Sequence, residues 1–176
     1  MLRGLNLTIC KGETVVILGR SGCGKSVTLK ILLGLMYPDE GQVFINNLAI
    51  TALSEKSLMP IRRRIGMLFQ GSALFDSLTV EQNVRFPLDM FTEKSLEEKN
   101  ERVNFCLNRV NIINANKLFP SELSGGMKKR VAIARAISLN PKYLFCDEPN
   151  SGLDPITAIL IDALIKELTQ EYSMTT

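Results

Sequence analysis

The run Gly-Arg-Ser-Gly-Cys-Gly-Lys-Ser at residues 19–26 fits G-x-x-x-x-G-K-[ST], the phosphate-loop pattern. Its glycines can adopt backbone conformations that side chains forbid, so that successive N–H groups face phosphate oxygens. We expect the Lys25 ammonium to reach the β- and γ-phosphates of a nucleotide and the Ser26 hydroxyl to bind Mg²⁺. A purely structural turn is the alternative, which the complete motif disfavours. The predicted nucleotide-binding residues are Gly19, Arg20, Ser21, Gly22, Cys23, Gly24, Lys25, Ser26 and Val27.

Two adjacent carboxylates, Asp147 and Glu148, follow the apolar run 143–146. Successive side chains of a strand point in opposite directions, so the two have different surroundings. Asp147 suits a second Mg²⁺ ligand opposite Ser26, and Glu148 suits a base that accepts a proton from water near the γ-phosphate. Two carboxylates merely solvated at a strand end are the alternative. The sequence has no histidine, so a general base must be a carboxylate, lysine, tyrosine or cysteine.

The residues around the phosphate loop predict a strand-rich opening with one inserted helix. Residues 14–18 are apolar and predict a buried strand, which we expect to pair in a hairpin with the alternating residues 5–9. The stretch 27–35 predicts a helix. Residues 42–45 predict a further strand that ends at the Asn46-Asn47 turn.

The middle of the chain, residues 78–123, predicts a separate helical lobe. Before it, strand 65–69 runs into Gln70, a polar side chain well placed to face a ligand. Within it, Thr79-Val80-Glu81-Gln82 has the form of a capping box, and the helix that follows is expected to weaken near Pro87. Residues 96–110 predict a second helix, with an ion pair between Glu98 and Arg102.

The last third of the chain predicts two more helices. One covers residues 127–139 with Ser124 as its N-cap. The other begins at Pro155 and ends near Glu171. Its predicted apolar face comprises Ile156, Ile159, Leu160, Ala163, Leu164 and Leu168.

The composition is that of one globular domain: 176 residues, 45% hydrophobic, 22% charged and a net charge of +3. The basic triplets 62–64 and 128–130 are interpreted as solvated faces, so no nucleic-acid partner is expected. No apolar run approaches the length of a membrane span and no signal peptide opens the chain, so we expect a cytosolic protein or one held at a membrane by partners. Four scattered cysteines suit a reducing compartment.

Five motifs in order give the chain a close resemblance to the nucleotide-binding domain of ATP-binding cassette (ABC) transporters. Residues 19–26 resemble Walker A, Gln70 the Q-loop, 123–126 the Leu-Ser-Gly-Gly signature, 143–148 Walker B and 151–154 the D-loop. The signature shortly before Walker B is specific to this superfamily. The resemblance covers essentially the whole chain.

The resemblance implies an α/β fold: a P-loop NTPase core with a mostly parallel sheet, an N-terminal antiparallel β part and a helical lobe that carries the signature. It implies one domain, with 1–77 and 140–176 as the core and about 78–139 as the helical subdomain. ATP and Mg²⁺ are the implied cofactors. The implied catalytic residues are Glu148, Gln70 and Lys25, and the implied metal ligands are Ser26, Gln70 and Asp147.

In that family two cassettes face each other, so the resemblance implies a homodimer bound to transmembrane permease subunits at the cytoplasmic face of the inner membrane. The signature residues Ser124, Gly125, Gly126 and Met127 would act on the partner's ATP, and Asp154 would work across the interface. Met127 with the following Lys-Lys-Arg, and Phe86-Pro87-Leu88, resemble the Mla-type phospholipid ATPases, which have Mce-domain partners. Met127 as a mere packing residue is the alternative.

Two departures from the family pattern are an adenine-stacking aromatic missing from residues 1–18 and a switch histidine missing from the chain. They lead us to expect a chain shortened at both ends. Three other functions remain open at this point: a shortened cassette that binds nucleotide but hydrolyses it poorly, a cassette acting on ribosomes or DNA, and a small-molecule kinase. The last two rank lower because tandem cassettes and coiled-coil insertions are absent and the signature is present.

Overall fold

The computed structural model describes residues 2–176. Six α-helices and four strands are present in the described residues, with short 3₁₀ turns at Ile50–Ala52 and Pro120–Glu122. The helices are α1 (Lys25–Leu32), α2 (Glu55–Arg62), α3 (Val80–Phe91), α4 (Leu96–Arg109), α5 (Gly125–Ile137) and α6 (Pro155–Glu171). The strands are β1 (Phe44–Ile45), β2 (Leu48–Ala49), β3 (Ile65–Leu68) and β4 (Tyr143–Cys146).

The parallel pair β3–β4 places the candidate site. Ile65 lies opposite Tyr143 and Leu68 opposite Cys146, so both strands end at the same level. The pairing continues for one residue, because the Asp147 N–H donates to the Leu68 carbonyl at 2.9 Å. Gln70 and the two carboxylates therefore leave neighbouring strands at one edge, which is where ligands bind in open α/β sheets.

The antiparallel pair β1–β2 is joined by the predicted Asn46-Asn47 turn. Both asparagines have positive φ, 49° and 64°, the conformation of a two-residue type I′ hairpin. The turn prediction is confirmed. The strand before it is shorter than the predicted 42–45, since only Phe44 and Ile45 pair with β2.

The predicted hairpin of strands 5–9 and 14–18 is wrong, because neither segment forms a strand. The Val15 N–H donates to the Thr176 carbonyl, and the Thr176 N–H donates to the Glu13 carbonyl. No backbone hydrogen bond of this kind continues along 16–18 among the described residues. Apolar side chains there remain in solvent, with Val16 72% and Leu18 88% exposed. β-Propensity needs a neighbouring strand to bond with before it can produce one.

The core lies where α3, α4 and α5 pack together and α5 packs on β3 and α6. It forms one continuous cluster of buried side chains. Its largest fully buried members include Leu68, Leu107, Ile133, Ile137, Leu144, Ile161 and Leu168. The division of the chain into a core and a helical subdomain stays a prediction.

Helix α3 continues through Pro87 to Phe91, so the expected weakening is wrong. Its Thr79 capping box is present in full, with Gln82 as the second member. Pro87 removes one backbone hydrogen bond, but the buried stripe of Val80, Val84 and Leu88 holds the helix on the core.

The predicted ion pair between Glu98 and Arg102 is also wrong. The Glu98 side chain instead completes a capping box with Ser95 at the start of α4. The Arg102 guanidinium donates to the carbonyls of Ile137 at 2.8 Å and Ser138 at 3.0 Å. The Ile137 and Ser138 carbonyls lie at the end of α5, where no i+4 helical N–H is available, and they attract the guanidinium more than a solvated carboxylate does.

Helix α6 has the predicted bounds, but only Leu164 and Leu168 of its predicted apolar face are buried. Ile161, Leu164, Ile165 and Leu168 are buried, whereas Ile156, Ile159, Leu160 and Ala163 are exposed. Two apolar stripes run along this helix, so periodicity alone could not choose between them. None of the helices within residues 2–176 has the length and apolar character needed to cross a bilayer.

Candidate active site

The phosphate loop has the backbone conformation that its glycines predict at two of three positions. Gly22 and Gly24 have φ of +78° and +106°, and α1 begins at the next residue, Lys25. Gly19 has no positive φ, and an added Cβ there would lie 2.5 Å from the Cys23 Sγ, so that side chain would have to turn away. The free N–H groups at the start of α1 therefore open onto this loop, the arrangement that binds phosphate.

Ser26 and Asp147 meet across 121 residues of sequence. The Ser26 hydroxyl donates to Asp147 Oδ1 at 3.1 Å, and both groups are partly buried. A hydroxyl and a carboxylate are hard oxygen ligands of the kind Mg²⁺ prefers, and magnesium usually takes its remaining ligands from water and phosphate. The pair fits a Mg²⁺ site.

Glu148 points away from Asp147 and has different partners. The Gln70 amide nitrogen donates to its Oε2 at 2.7 Å, and the Lys25 ammonium lies 3.7 Å from its Oε1. Its backbone has a φ of +45°, which is unusual for a glutamate, and strained conformations of this kind cluster at functional sites. This carboxylate is thus held between the phosphate loop and Gln70.

Lys25 and Gln70 complete this side of the site. Lys25 donates to the loop carbonyls of Gly19 at 3.0 Å and Arg20 at 3.4 Å, so its ammonium lies over the loop. Gln70 also donates to the Ser151 hydroxyl at 3.4 Å. Among the described residues it makes no hydrogen bond to the Ser26–Asp147 pair, so the structure brings it to the carboxylate predicted as a base and not to the other predicted metal ligands.

The signature residues begin α5. Ser124 is its N-cap, as predicted, and its Oγ accepts from the Met127 N–H at 3.2 Å. Ser124 and Gly125 are exposed, and a Cβ at Gly126 would lie 2.9 Å from Thr157 Cγ2 of α6. Met127 is partly buried and packs against the core, the alternative that the sequence left open.

Asp154 begins α6 as its N-cap. Its Oδ1 accepts from the N–H of Ile156 at 3.1 Å and of Thr157 at 3.0 Å. These hydrogen bonds, those with Thr157 foremost, lower the pKa of the carboxyl below its ordinary value. Its contacts within one copy are therefore structural, and its action across a dimer interface stays a prediction.

Two basic residues near Gln70 were missed as site residues. The Lys129 ammonium donates to the Gln70 carbonyl, and Arg135 donates to the carbonyls of Ser72 and Ala73. The interpretation of 128–130 as a solvated face is wrong for Lys129, which is 4% exposed. The spacing could have revealed it, because Lys129 lies one turn before Ala132 and Ile133 on the buried face of α5.

A groove of about 410 Å³ lies beside the Q-loop segment. Phe69, Phe75, Phe86 and Phe91 line it together with Met67 and Arg135. The rings of Phe75 and Phe86 are 4.7 Å apart, and both side chains are partly exposed. The groove is therefore an apolar surface continuous with the segment that carries Gln70.

The chain is similar to curated ATP-binding proteins over nearly its whole length. It is 45% identical over 171 residues to the methionine import ATP-binding protein MetN of Carboxydothermus hydrogenoformans, covering 97% of the chain and 50% of that protein. It is 43% identical to the probable ribonucleotide transport ATP-binding protein mkl of Mycobacterium tuberculosis (strain H37Rv), at 97% and 48% coverage. It is 40% identical to the intermembrane phospholipid transport system ATP-binding protein MlaF of Haemophilus influenzae, at 97% and 65% coverage. The chain spans about half the length of the first two relatives.

Among solved structures, the dimeric post-hydrolysis state of the ATP-binding cassette MJ0796 bound to ADP and Pi matches with a TM-score of 0.89 at 40% identity. The match covers 99% of this chain and 77% of that one. The predicted α/β P-loop fold is confirmed by this likeness. The family model described as ABC transporter matches residues 2–151. The chain belongs to the ABC transporter family, as its motifs predict.

Proposed function

We propose that this chain binds and hydrolyses ATP with Mg²⁺ and thereby powers a transport complex. The proposal rests on the different partners of two adjacent carboxylates. Asp147 accepts a hydrogen bond from Ser26 at 3.1 Å, and Glu148 accepts one from Gln70 at 2.7 Å. In the proposal, Asp147 serves the metal together with Ser26, and Glu148 serves the attacking water beside Gln70.

In the proposed reaction the loop N–H groups and Lys25 hold the phosphates, and Ser26 and Asp147 hold Mg²⁺. When bound, Mg²⁺ neutralises charge that develops on the phosphate oxygens. Glu148 accepts a proton from the attacking water, and Gln70 orients that carboxylate through its 2.7 Å hydrogen bond. No histidine of this chain takes part, since the sequence contains none.

The test is steady-state ATP turnover with Mg²⁺, measured beside binding of a fluorescent ATP analogue. Glu148→Gln should lower turnover by about a hundredfold or more and leave analogue binding intact, since it removes only the base. Lys25→Ala should weaken binding itself. Glu97→Gln, which neutralises a carboxylate at the exposed start of α4, is the matched control and should keep both properties.

Two other outcomes decide against parts of the proposal. Turnover by Glu148→Gln at the unsubstituted rate would remove Glu148 from the chemistry. Tight Mg²⁺-dependent binding without turnover in any variant would leave a nucleotide-binding cassette that does not hydrolyse.

We propose a homodimer in which the signature of one copy closes over the nucleotide of the other. Ser124 and Gly125 are exposed at the start of α5, where free N–H groups can meet a γ-phosphate. The solved relative MJ0796 is described as dimeric with ADP and Pi. With ATP, the Glu148→Gln variant should sediment as a dimer in analytical ultracentrifugation, at twice the mass of one chain. Without nucleotide, the chain should sediment as a monomer.

We propose that the phenylalanine-lined groove receives a transmembrane permease subunit, which places the chain at the cytoplasmic face of the inner membrane. The groove joins the Gln70 segment directly, so a partner seated there would sense the site. Phe86→Asp should abolish co-purification of the complex from membranes without loss of ATP binding. Phe119→Asp, another exposed phenylalanine outside the groove, should leave the complex intact.

For the substrate we propose phospholipid, with an Mce-domain protein as a further partner. The relative MlaF, named for intermembrane phospholipid transport, supports this, whereas Met127 packs against the core and adds no support of its own. MetN and mkl are named for methionine and ribonucleotide transport, so those solutes are the competing outcomes. Phospholipid found by mass spectrometry in the purified complex would support the proposal, and uptake of methionine or ribonucleotide driven by the complex would overturn it.

A further inference from the structure

Lys129 is a buried cation whose partner is a loop carbonyl. It is 4% exposed, and burial lowers the pKa of its ammonium. Its Nζ donates to the carbonyl oxygen of Gln70. Among the described residues it forms no salt bridge, so this carbonyl takes the place of a counter-ion.

Arg135 lies six residues further along α5 and holds the next part of the same segment. Its guanidinium donates to the carbonyls of Ser72 at 2.8 Å and Ala73 at 2.7 Å. Both of those residues have positive φ, 64° and 47°, a conformation that persists only where the surroundings impose it. Two cations from one helix therefore hold three carbonyls within residues 70–73.

We propose that Lys129 is a positioning residue that ties the backbone of Gln70 to α5 so that the Gln70 amide stays on Glu148. The inference rests on the proposed ATPase function. The Gln70 amide nitrogen lies 2.7 Å from Glu148 Oε2, and the carbonyl of the same residue is the acceptor for Lys129. Arg135 supports the turn that follows.

The tether also joins two parts of the proposed dimer site. Helix α5 begins at the signature, next to Ser124, and carries Lys129 little more than one turn later. A movement of the signature toward the nucleotide of the other copy would therefore shift Gln70 in its own site. This gives the two sites of a dimer a direct mechanical connection through a single side chain.

A purely structural role explains this contact poorly. Gln70 is an exposed residue, although its hydrogen bond with Lys129 is partly buried. Burial of an ammonium group has a desolvation cost that a loop contact does not need to incur for stability alone.

The experiment compares the full chain with Lys129→Met, Lys129→Arg, Gln70→Ala and the double variant Lys129→Met/Gln70→Ala. Lys128→Met is the matched control, because Lys128 is the neighbouring lysine, is partly exposed, and its side chain makes no hydrogen bond among the described residues. Lys129→Met should lower kcat about tenfold to a hundredfold, since a displaced positioning group has effects of that size. KM for ATP should change less than about twofold, because phosphate binding is separate.

Lys129→Arg should restore most of kcat, because it also donates to a carbonyl. In the Gln70→Ala background, Lys129→Met should add no further loss, since its effect passes through Gln70. Equal kcat for Lys129→Met and the unsubstituted chain, or additive losses in the double variant, would overturn the tether.

Hydrogen exchange of residues 69–75 tests the tether without turnover. The Ser72 N–H is bonded to the Phe69 carbonyl at 3.0 Å, and we expect it to exchange faster in Lys129→Met and not in Lys128→Met. Unchanged exchange would overturn the tether even in an active chain. Altered exchange in a chain that binds ATP without turnover would keep the tether and overturn the proposed hydrolysis.

Discussion

The Ser26 hydroxyl donates to Asp147 Oδ1 at 3.1 Å, which joins the first turn of α1 to the end of β4. Either group alone is an ordinary polar side chain. Together they present two hard oxygen ligands beside the phosphate loop. We expect Ser26→Ala and Asp147→Asn each to raise the Mg²⁺ concentration for half-maximal nucleotide binding at least about tenfold.

The measurement is a Mg²⁺ titration of fluorescent ATP analogue binding at fixed nucleotide. Asp162→Asn is the control. Asp162 is an exposed carboxylate on α6 that accepts a hydrogen bond from Asn150, and it lies outside the proposed metal site. A Mg²⁺ dependence unchanged in Asp147→Asn would show that the metal is held elsewhere.

Gly66 on β3 lies against the backbone of α5. A Cβ there would be 2.6 Å from the Ala136 carbonyl oxygen, and neither backbone can move without disturbing the core. Gly66→Ala should lower the free energy of unfolding by about 1–3 kcal/mol, the usual cost of overpacking. Urea denaturation followed by circular dichroism measures this change.

Gly71→Ala is the matched control for Gly66→Ala. No atom lies within 4 Å of a Cβ at Gly71, and its φ is not in the left-handed region. Its free energy of unfolding should stay within about 0.5 kcal/mol of the unsubstituted chain. Equal losses in both variants would mean that β3 and α5 are not in this close contact.

Arg102 connects α4 to the end of α5 through the carbonyls of Ile137 and Ser138. Arg102→Met keeps the apolar stem but leaves these acceptors without their charged donor. We expect a loss of about 1–3 kcal/mol in the free energy of unfolding, measured by urea denaturation. Lys56→Met, an exposed lysine of α2, should cause almost no change, and a similar loss there would contradict a specific role for Arg102.

Features that depend on neighbours in sequence were predictable. The caps at Thr79 and Ser124 and the Asn46-Asn47 turn follow from side-chain oxygens or backbone freedom within three residues. The apolar runs directly before Gln70 and the two carboxylates likewise predicted that these residues would lie at strand ends. The site was predictable to this extent because each of its residues is next to a recognisable local element.

Features that depend on distant partners were not predictable. Arg102 bonds residues about 36 positions away, and Lys129 bonds a carbonyl 59 positions away, so no local pattern marks either contact. Val16 and Leu18 are the opposite case, because a distant partner is missing. Their apolar side chains predict burial, which only a neighbouring strand could supply, and both are exposed. Hydrophobic periodicity indicates which side chains favour burial, whereas tertiary packing determines which of them are buried.

Asp154 gives the start of α6 a dependence on pH. Hydrogen bonds from Thr157 and Ile156 lower the pKa of its carboxyl in the folded state, so the unfolded chain binds a proton more readily. The stabilisation is therefore complete above the ordinary aspartate pKa of about 3.9 and is lost as the pH falls through the lowered value. Asp154→Asn keeps a capping oxygen that does not titrate.

We expect the difference in thermal midpoint between the unsubstituted chain and Asp154→Asn to be constant from pH 7 to pH 5 and to shrink from pH 4 to pH 3. A difference that stays constant down to pH 3 would show that the ionised carboxylate contributes nothing beyond the cap.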